Sequence, residues 1–153
     1  MTEEADNATP TAFVPAAFSP PDTMIGDGYR LEPLGPEHNE RDYAAWMPSV
    51  AFIHTLPGFV DSTWPAPMSL EENLSDLEGH NKDFVDQTGF TYSILDGMDV
   101  IGCLYIYPTS QPGYDAEVRS WVTEERASMD DVVRTDIAAW ISEEWPFAHP
   151  FIP

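Results

Sequence analysis

Lysine is nearly missing from this sequence. Lys82 stands alone, and Arg30, Arg41, Arg119, Arg126 and Arg134 complete the basic side chains against 27 acidic ones, for a net charge of −21. No basic face can therefore form to neutralise a run of phosphates, which excludes ordinary nucleic-acid binding. An anionic membrane surface would repel the chain for the same reason. Cysteine is limited to Cys103, so neither an intrachain disulfide nor a thiolate metal cluster is available. Apolar runs stay well short of the ~18 residues that a membrane-spanning helix needs. The first ten residues, MTEEADNATP, are acidic where a secretory leader would be basic. No membrane segment and no leader are expected, and the expected location is the cytoplasm. Gly-x-Ser-x-Gly, P-loop and His-Glu-x-x-His patterns do not occur. His38, His54, His80 and His149 are dispersed, and no metal site is expected.

What is present is enough apolar material for a core: 42% of the 153 residues are hydrophobic, with 5 Trp, 6 Tyr and 8 Phe. That content argues against the global disorder that the charge alone would suggest. The length suits one domain. Three readings fit the acidity: a hydrated surface suited to a salty cytoplasm, a mimic of nucleic acid, or a surface that recruits a basic partner. The carboxylates are spread along the whole chain rather than gathered in one block, which favours the first.

Residues 1–26 read as a flexible, acidic, Pro-rich tail, with Pro10, Pro15, Pro20 and Pro21 and no period of 2 or 3.6. Phe13, Val14 and Phe18 are the residues of this stretch able to dock on the body. The domain is expected over residues 27–153. Its first strand is Tyr29-Arg30-Leu31-Glu32, stopped by Pro33. A helix opens at Pro36 and ends before Pro48. A second helix starts at Ser69, whose pairing with Glu72 has the capping-box spacing, and Leu70, Leu74, Leu77, Phe84 and Val85 form its apolar stripe. Strands follow over Phe90–Leu95, Val100–Tyr107 and Ala116–Val122, the first two joined by an Asp96-Gly97 turn. Ser128 and Asp131 mark a last helix with Val133, Ile137, Trp140 and Ile141 on its buried side. A stub of strand is expected between Phe147 and Ile152. The order β-α-α-β-β-β-α specifies an α+β domain on a mostly antiparallel sheet.

This order, with YRLEPLGPEH, FTYSILDGMDVIGCLYIY and the run Ala116-Glu117-Val118-Arg119-Ser120-Trp121-Val122, resembles the GNAT acyl-CoA N-acetyltransferases over about Gly28 to Trp145. The resemblance implies an acetyl-CoA co-substrate held along the strand that ends at Val122, with backbone groups of Trp121 and Val122 against the pantetheine arm. It implies Glu117 as general base, removing a proton from a small amine or peptide amine that attacks the thioester. It also places Arg126 at the diphosphate.

The sequence departs from that family at two points. The family pattern Q/R-x-x-G-x-G/A lets backbone N–H groups approach the diphosphate at a helix N-terminus. The matching residues here are Arg126-Ala127-Ser128-Met129-Asp130-Asp131, so Met129 and Asp131 replace the small residues. Ser128 and Asp131 are expected to cap the helix themselves. Arg126 has Glu124, Glu125 and Asp130 as near ion-pair partners, and Arg119 shares a strand face with Glu117, where an ion pair would weaken Glu117 as a base. Second, the chain stops at Pro153, before the family's further strand, helix and hairpin. The expectation is a GNAT-like sheet without that portion, which a second subunit of a homodimer could supply. The alternative function is a GNAT-derived binding module that transfers nothing. Cys103 is expected in the core.

Overall fold

The computed structural model describes residues 12–153. Six strands form one sheet whose spatial order follows the chain: β1 (Met24–Gly26), β2 (Tyr29–Pro33), β3 (Phe90–Asp96), β4 (Asp99–Tyr107), β5 (Ala116–Val122) and β6 (Pro150–Phe151). All neighbours are antiparallel except β5 and β6, which run parallel and pair only at Ala116↔Pro150 and Glu117↔Phe151. The helices are α1 (Asn39–Trp46), α2 (Val50–Ile53), α3 (Leu70–Asp86) and α4 (Asp130–Glu144), with short 3₁₀ turns before and after α1 and before α4. This is the α+β architecture expected from the sequence, with β1 and α2 added.

β3 is buried along nearly its whole length because helices cover both faces of the sheet, which explains its continuous apolar run. On one face Tyr92, Ile94, Ile106, Val118 and Val122 pack against Val133, Ile137, Trp140 and Ile141 of α4. On the other, Cys103 and Trp121 pack against Trp46 of α1 and Leu77 of α3. Gly102 lets β4 and β5 close up: a Cβ there would sit 2.2 Å from the Trp121 carbonyl oxygen.

Three expectations are corrected. Residues 1–11 of the expected tail lie outside the described residues, but 13–26 belong to the body. Val14 is buried, Phe13 stacks on Phe90 and Phe147, Tyr92 Oη donates to the Pro21 carbonyl at 2.6 Å, and Met24–Gly26 extend the sheet. The aromatic residues of this stretch find apolar surface left open beside α4, and composition alone does not register that. On α3 the inward stripe is Asn73, Leu77, His80 and Phe84, while Leu70 and Val85 are exposed. Finally, α4 has no side-chain cap: the chain enters it through a 3₁₀ segment, Glu124–Met129, that satisfies the first amides through backbone turns.

Candidate functional site

α3 begins where the sequence says it should. Ser69 Oγ accepts from the Glu72 amide at 3.1 Å, and Glu72 Oε1 accepts from the Ser69 amide at 2.8 Å. This start sets the phase of the helix, so that Asn73 points at α1. There Trp46 Nε1 donates to Asn73 Oδ1 (3.0 Å), and Asn73 Nδ2 donates to Asn39 Oδ1 (2.8 Å) and Asp42 Oδ2 (3.1 Å). An indole N–H can only donate, so the Asn73 amide has one orientation, and its N–H groups face the acid.

Beyond this network lies a cavity of about 330 Å³ between α1, α3, β4, β5 and the loop 54–69. Asp42 of α1, Asp76 and His80 of α3, Tyr105 and Tyr107 of β4, and Arg119 of β5 are the titratable groups of its lining, beside Ser62 and Asn73, with Phe59 and Trp64 as apolar walls. Asp42 is only 4% exposed, and burial pushes its carboxyl up to about 6, against the Asn73 hydrogen bond and the field of His38; Asp76 adds to the rise. Burial pushes the His80 imidazole below its ordinary value, against the attraction of Asp83 and Asp76. Cys103 is sealed in the core beneath, and burial raises its thiol well above the reactive range. Acidic groups against aromatic faces make a site for a small organic cation.

The loop wall is fastened at two places. His54 Nδ1 lies 2.9 Å from the Phe59 carbonyl and Nε2 lies 2.7 Å from that of Pro65. Carbonyl oxygens only accept, so the doubly protonated ring is the form that donates both bonds, and they raise the imidazole above its ordinary value. Arg119 Nη1 donates to the Gly58 carbonyl at 3.2 Å, and its guanidinium lies 5.0 Å from the centre of the Phe59 ring. Gly58 itself has φ +91°, a conformation that favours glycine.

The residues picked out from the sequence are not brought together in this cavity. Glu117 is half-buried at the start of β5, between Tyr107 and Phe151, and does not line it. The expected Glu117–Arg119 ion pair is absent among the described residues, because Arg119 turns to the loop. Trp121 is fully buried, and with Val122 it pairs with Cys103 and Gly102 of β4. Arg126 pairs with Asp96 across the sheet end at 2.9 Å, rather than with Glu124, Glu125 or Asp130. Asp42, Asp76 and His80 line the cavity. The signal available in the sequence was a polar residue every third or fourth position, Asn73 and His80 around Leu77, on the inward stripe of α3.

The segment that would meet a diphosphate is partly engaged by the chain itself, beside a cavity of about 660 Å³ lined by Arg41, Thr123, Glu124, Glu125 and Arg126. The Thr123, Glu124, Arg126 and Asp130 amides donate to the Ile101 carbonyl, Ser49 Oγ, the Thr123 carbonyl and the Ala127 carbonyl. A diphosphate would find these donors taken and the Asp130 and Asp131 carboxylates beside them. Beside Val118–Ser120 the chain leaves about 10 Å³, closed by Pro57, Ile152 and Pro153, room for about one water molecule.

No family model matches the sequence, and no curated protein matches it. Solved structures do match the fold. A probable acetyltransferase superposes with a TM-score of 0.64 at 14% identity, over 84% of this chain and 71% of its own. An acetyl transferase from Salmonella typhimurium that modifies the N-terminal serine of a 50S ribosomal subunit protein gives 0.58 at 12%, over 78% and 68%. A microcin self-immunity acetyltransferase in complex with acetyl-CoA and AMP gives 0.55 at 13%, over 77% and 63%. The chain thus has the GNAT fold and spans about two thirds of the length of these neighbours.

Proposed function

From a GNAT fold whose Arg126 and Asp130 amides are engaged within the chain, we propose that this protein is a binding module for a small amine-bearing cation, held in the Asp42 cavity, that does not use acetyl-CoA. The observation that supports it most is Asp42 itself. A carboxyl buried in a fold of this size is costly unless a ligand repays the desolvation, and the one arginine or lysine that lines the cavity among the described residues, Arg119, is engaged by the loop. The cytoplasm remains the proposed location, and Glu117, Trp121, Val122 and Arg126 have no role in this reading.

A second reading keeps the acetyl-CoA-dependent N-acetyltransferase, with Glu117 as base and a small amine or peptide amine as acceptor. Two findings favour it: the fold, and the edge of β5 beyond Glu117, which no strand covers among the described residues. Calorimetry and thermal shift with millimolar acetyl-CoA, in dilute buffer and in molar potassium chloride, separate the two. The binding-module reading expects no heat and no shift in either. Saturable binding in one of them would restore the transferase.

A further inference from the structure

His80 sits at the inner end of a hydrogen-bonded chain that the cation reading does not use. Its Nδ1 lies 2.7 Å from Tyr107 Oη and 3.2 Å from Thr91 Oγ1, and Tyr107 Oη donates to Asp83 Oδ2 at 2.9 Å. The direction of the chain follows from the inventory of protons. A carboxylate accepts only, and a phenol has one proton to give, so Tyr107 spends it on Asp83 and must receive one from His80 Nδ1. The hydroxyl of Thr91 can accept in the same way. Nε2 is therefore the nitrogen with the lone pair. It has no partner among the described residues and is not sealed from solvent, and His80 lines the cavity.

We infer that the Asp83–Tyr107–His80 chain presents His80 Nε2 to the cavity as the acceptor for an N–H of the bound ligand, so that the site selects protonated primary or secondary amines over quaternary ones. The inference rests on the reading of the cavity as a cation site. The groups that face His80 fit it: Asp76 and Asp83 on its own helix, Tyr105 and Tyr107 on β4, and Asp42 and Arg119 across the cavity. The carboxylates supply the charge complement, which any cation satisfies. The imidazole adds the one contact that a quaternary nitrogen cannot make. Burial, which disfavours the imidazolium, keeps that acceptor available at neutral pH.

Benzylammonium and benzyltrimethylammonium serve as probes, since both offer a ring to the Phe59 and Trp64 walls and only the first carries N–H. In calorimetric titrations the wild-type protein should bind benzylammonium more tightly. Tyr107→Phe and His80→Ala should each weaken benzylammonium about tenfold more than they weaken benzyltrimethylammonium, the scale of one hydrogen bond to a charged group. Equal losses for the two probes, or no loss, would overturn the role of His80 and leave the cation cavity standing. Binding of neither probe by the wild-type protein would overturn both. A measurement independent of the variants is the ¹⁵N spectrum of the His80 ring in the unliganded wild-type protein. The proton should reside on Nδ1; finding it on Nε2 refutes the inference whatever the probes do.

Discussion

At residue scale, Asp42 sets stability against ligand binding. Its folded value, about 6, lies above that of an unfolded aspartate, so the folded state prefers the protonated form. The contribution to stability is fully present below the unfolded value and is lost as pH rises through about 6. Asp42→Asn keeps an acceptor for Asn73 Nδ2 and cannot ionise. The variant should be more stable than the wild type above that pH by about 3 kcal/mol, with the gap closing in acid, as urea titrations across pH will show. It should also lose affinity for benzylammonium, the exchange expected where a strained group serves binding. Had the carboxylate been structural, the same change would destabilise at every pH. Residues of this kind were the hardest to read from sequence. Asp42, Asp76 and Tyr107 are separated by long stretches, and nothing in a string of letters says that their elements converge. Glu117 and Arg126 stand out because they sit in a resembling motif; Arg126 is paired with Asp96, and Glu117 does not line the cavity.

The elements around the cavity act as levers on it. Ser69→Ala removes the cap of α3 and should lower stability by about 1 kcal/mol, or roughly 2–4 °C in a chain of this length, measured by calorimetry. The capping box was legible because it is local, one side chain and one amide three residues apart. The start of α4 misled for the opposite reason. Ser128 and Asp131 have the right spacing, but the chain is already turning there in a 3₁₀ segment that begins at Glu124, whose amide donates to Ser49 Oγ. The loop 54–69 carries a pH dependence of its own. The two carbonyl bonds raise the His54 imidazole above its ordinary value, so its clasp on Phe59 and Pro65 holds below the unfolded value and is lost as pH rises through the higher folded one. Amide exchange in this loop, corrected for its intrinsic pH dependence, should accelerate through that window in the wild type and show no such step in His54→Ala.

For the whole molecule, −21 charges on 153 residues repel one another, and at 1 M salt the screening length falls to about 3 Å. Moving from dilute buffer to molar potassium chloride should raise the melting temperature by roughly 4–8 °C, equivalent to about 2 kcal/mol of relieved repulsion. An unchanged melting point would show that the surface is not adapted to salt. Element order and sheet class were readable because hydrophobic period and turn residues agree along nearly the whole chain. The docking of residues 13–26 was not, since it depends on a surface that other segments build. The sequential order of the strands has a kinetic side. Each strand meets the one that precedes it, and the long excursions to close are residues 34–89 between β2 and β3 and residues 123–149 between β5 and β6. The meander from Phe90 to Val122 can therefore zip up early, with little loop-closure entropy lost, and the α1–α3 layer that holds the cavity joins it late. Substitutions that loosen that layer should thus quicken unfolding while leaving the refolding rate nearly untouched.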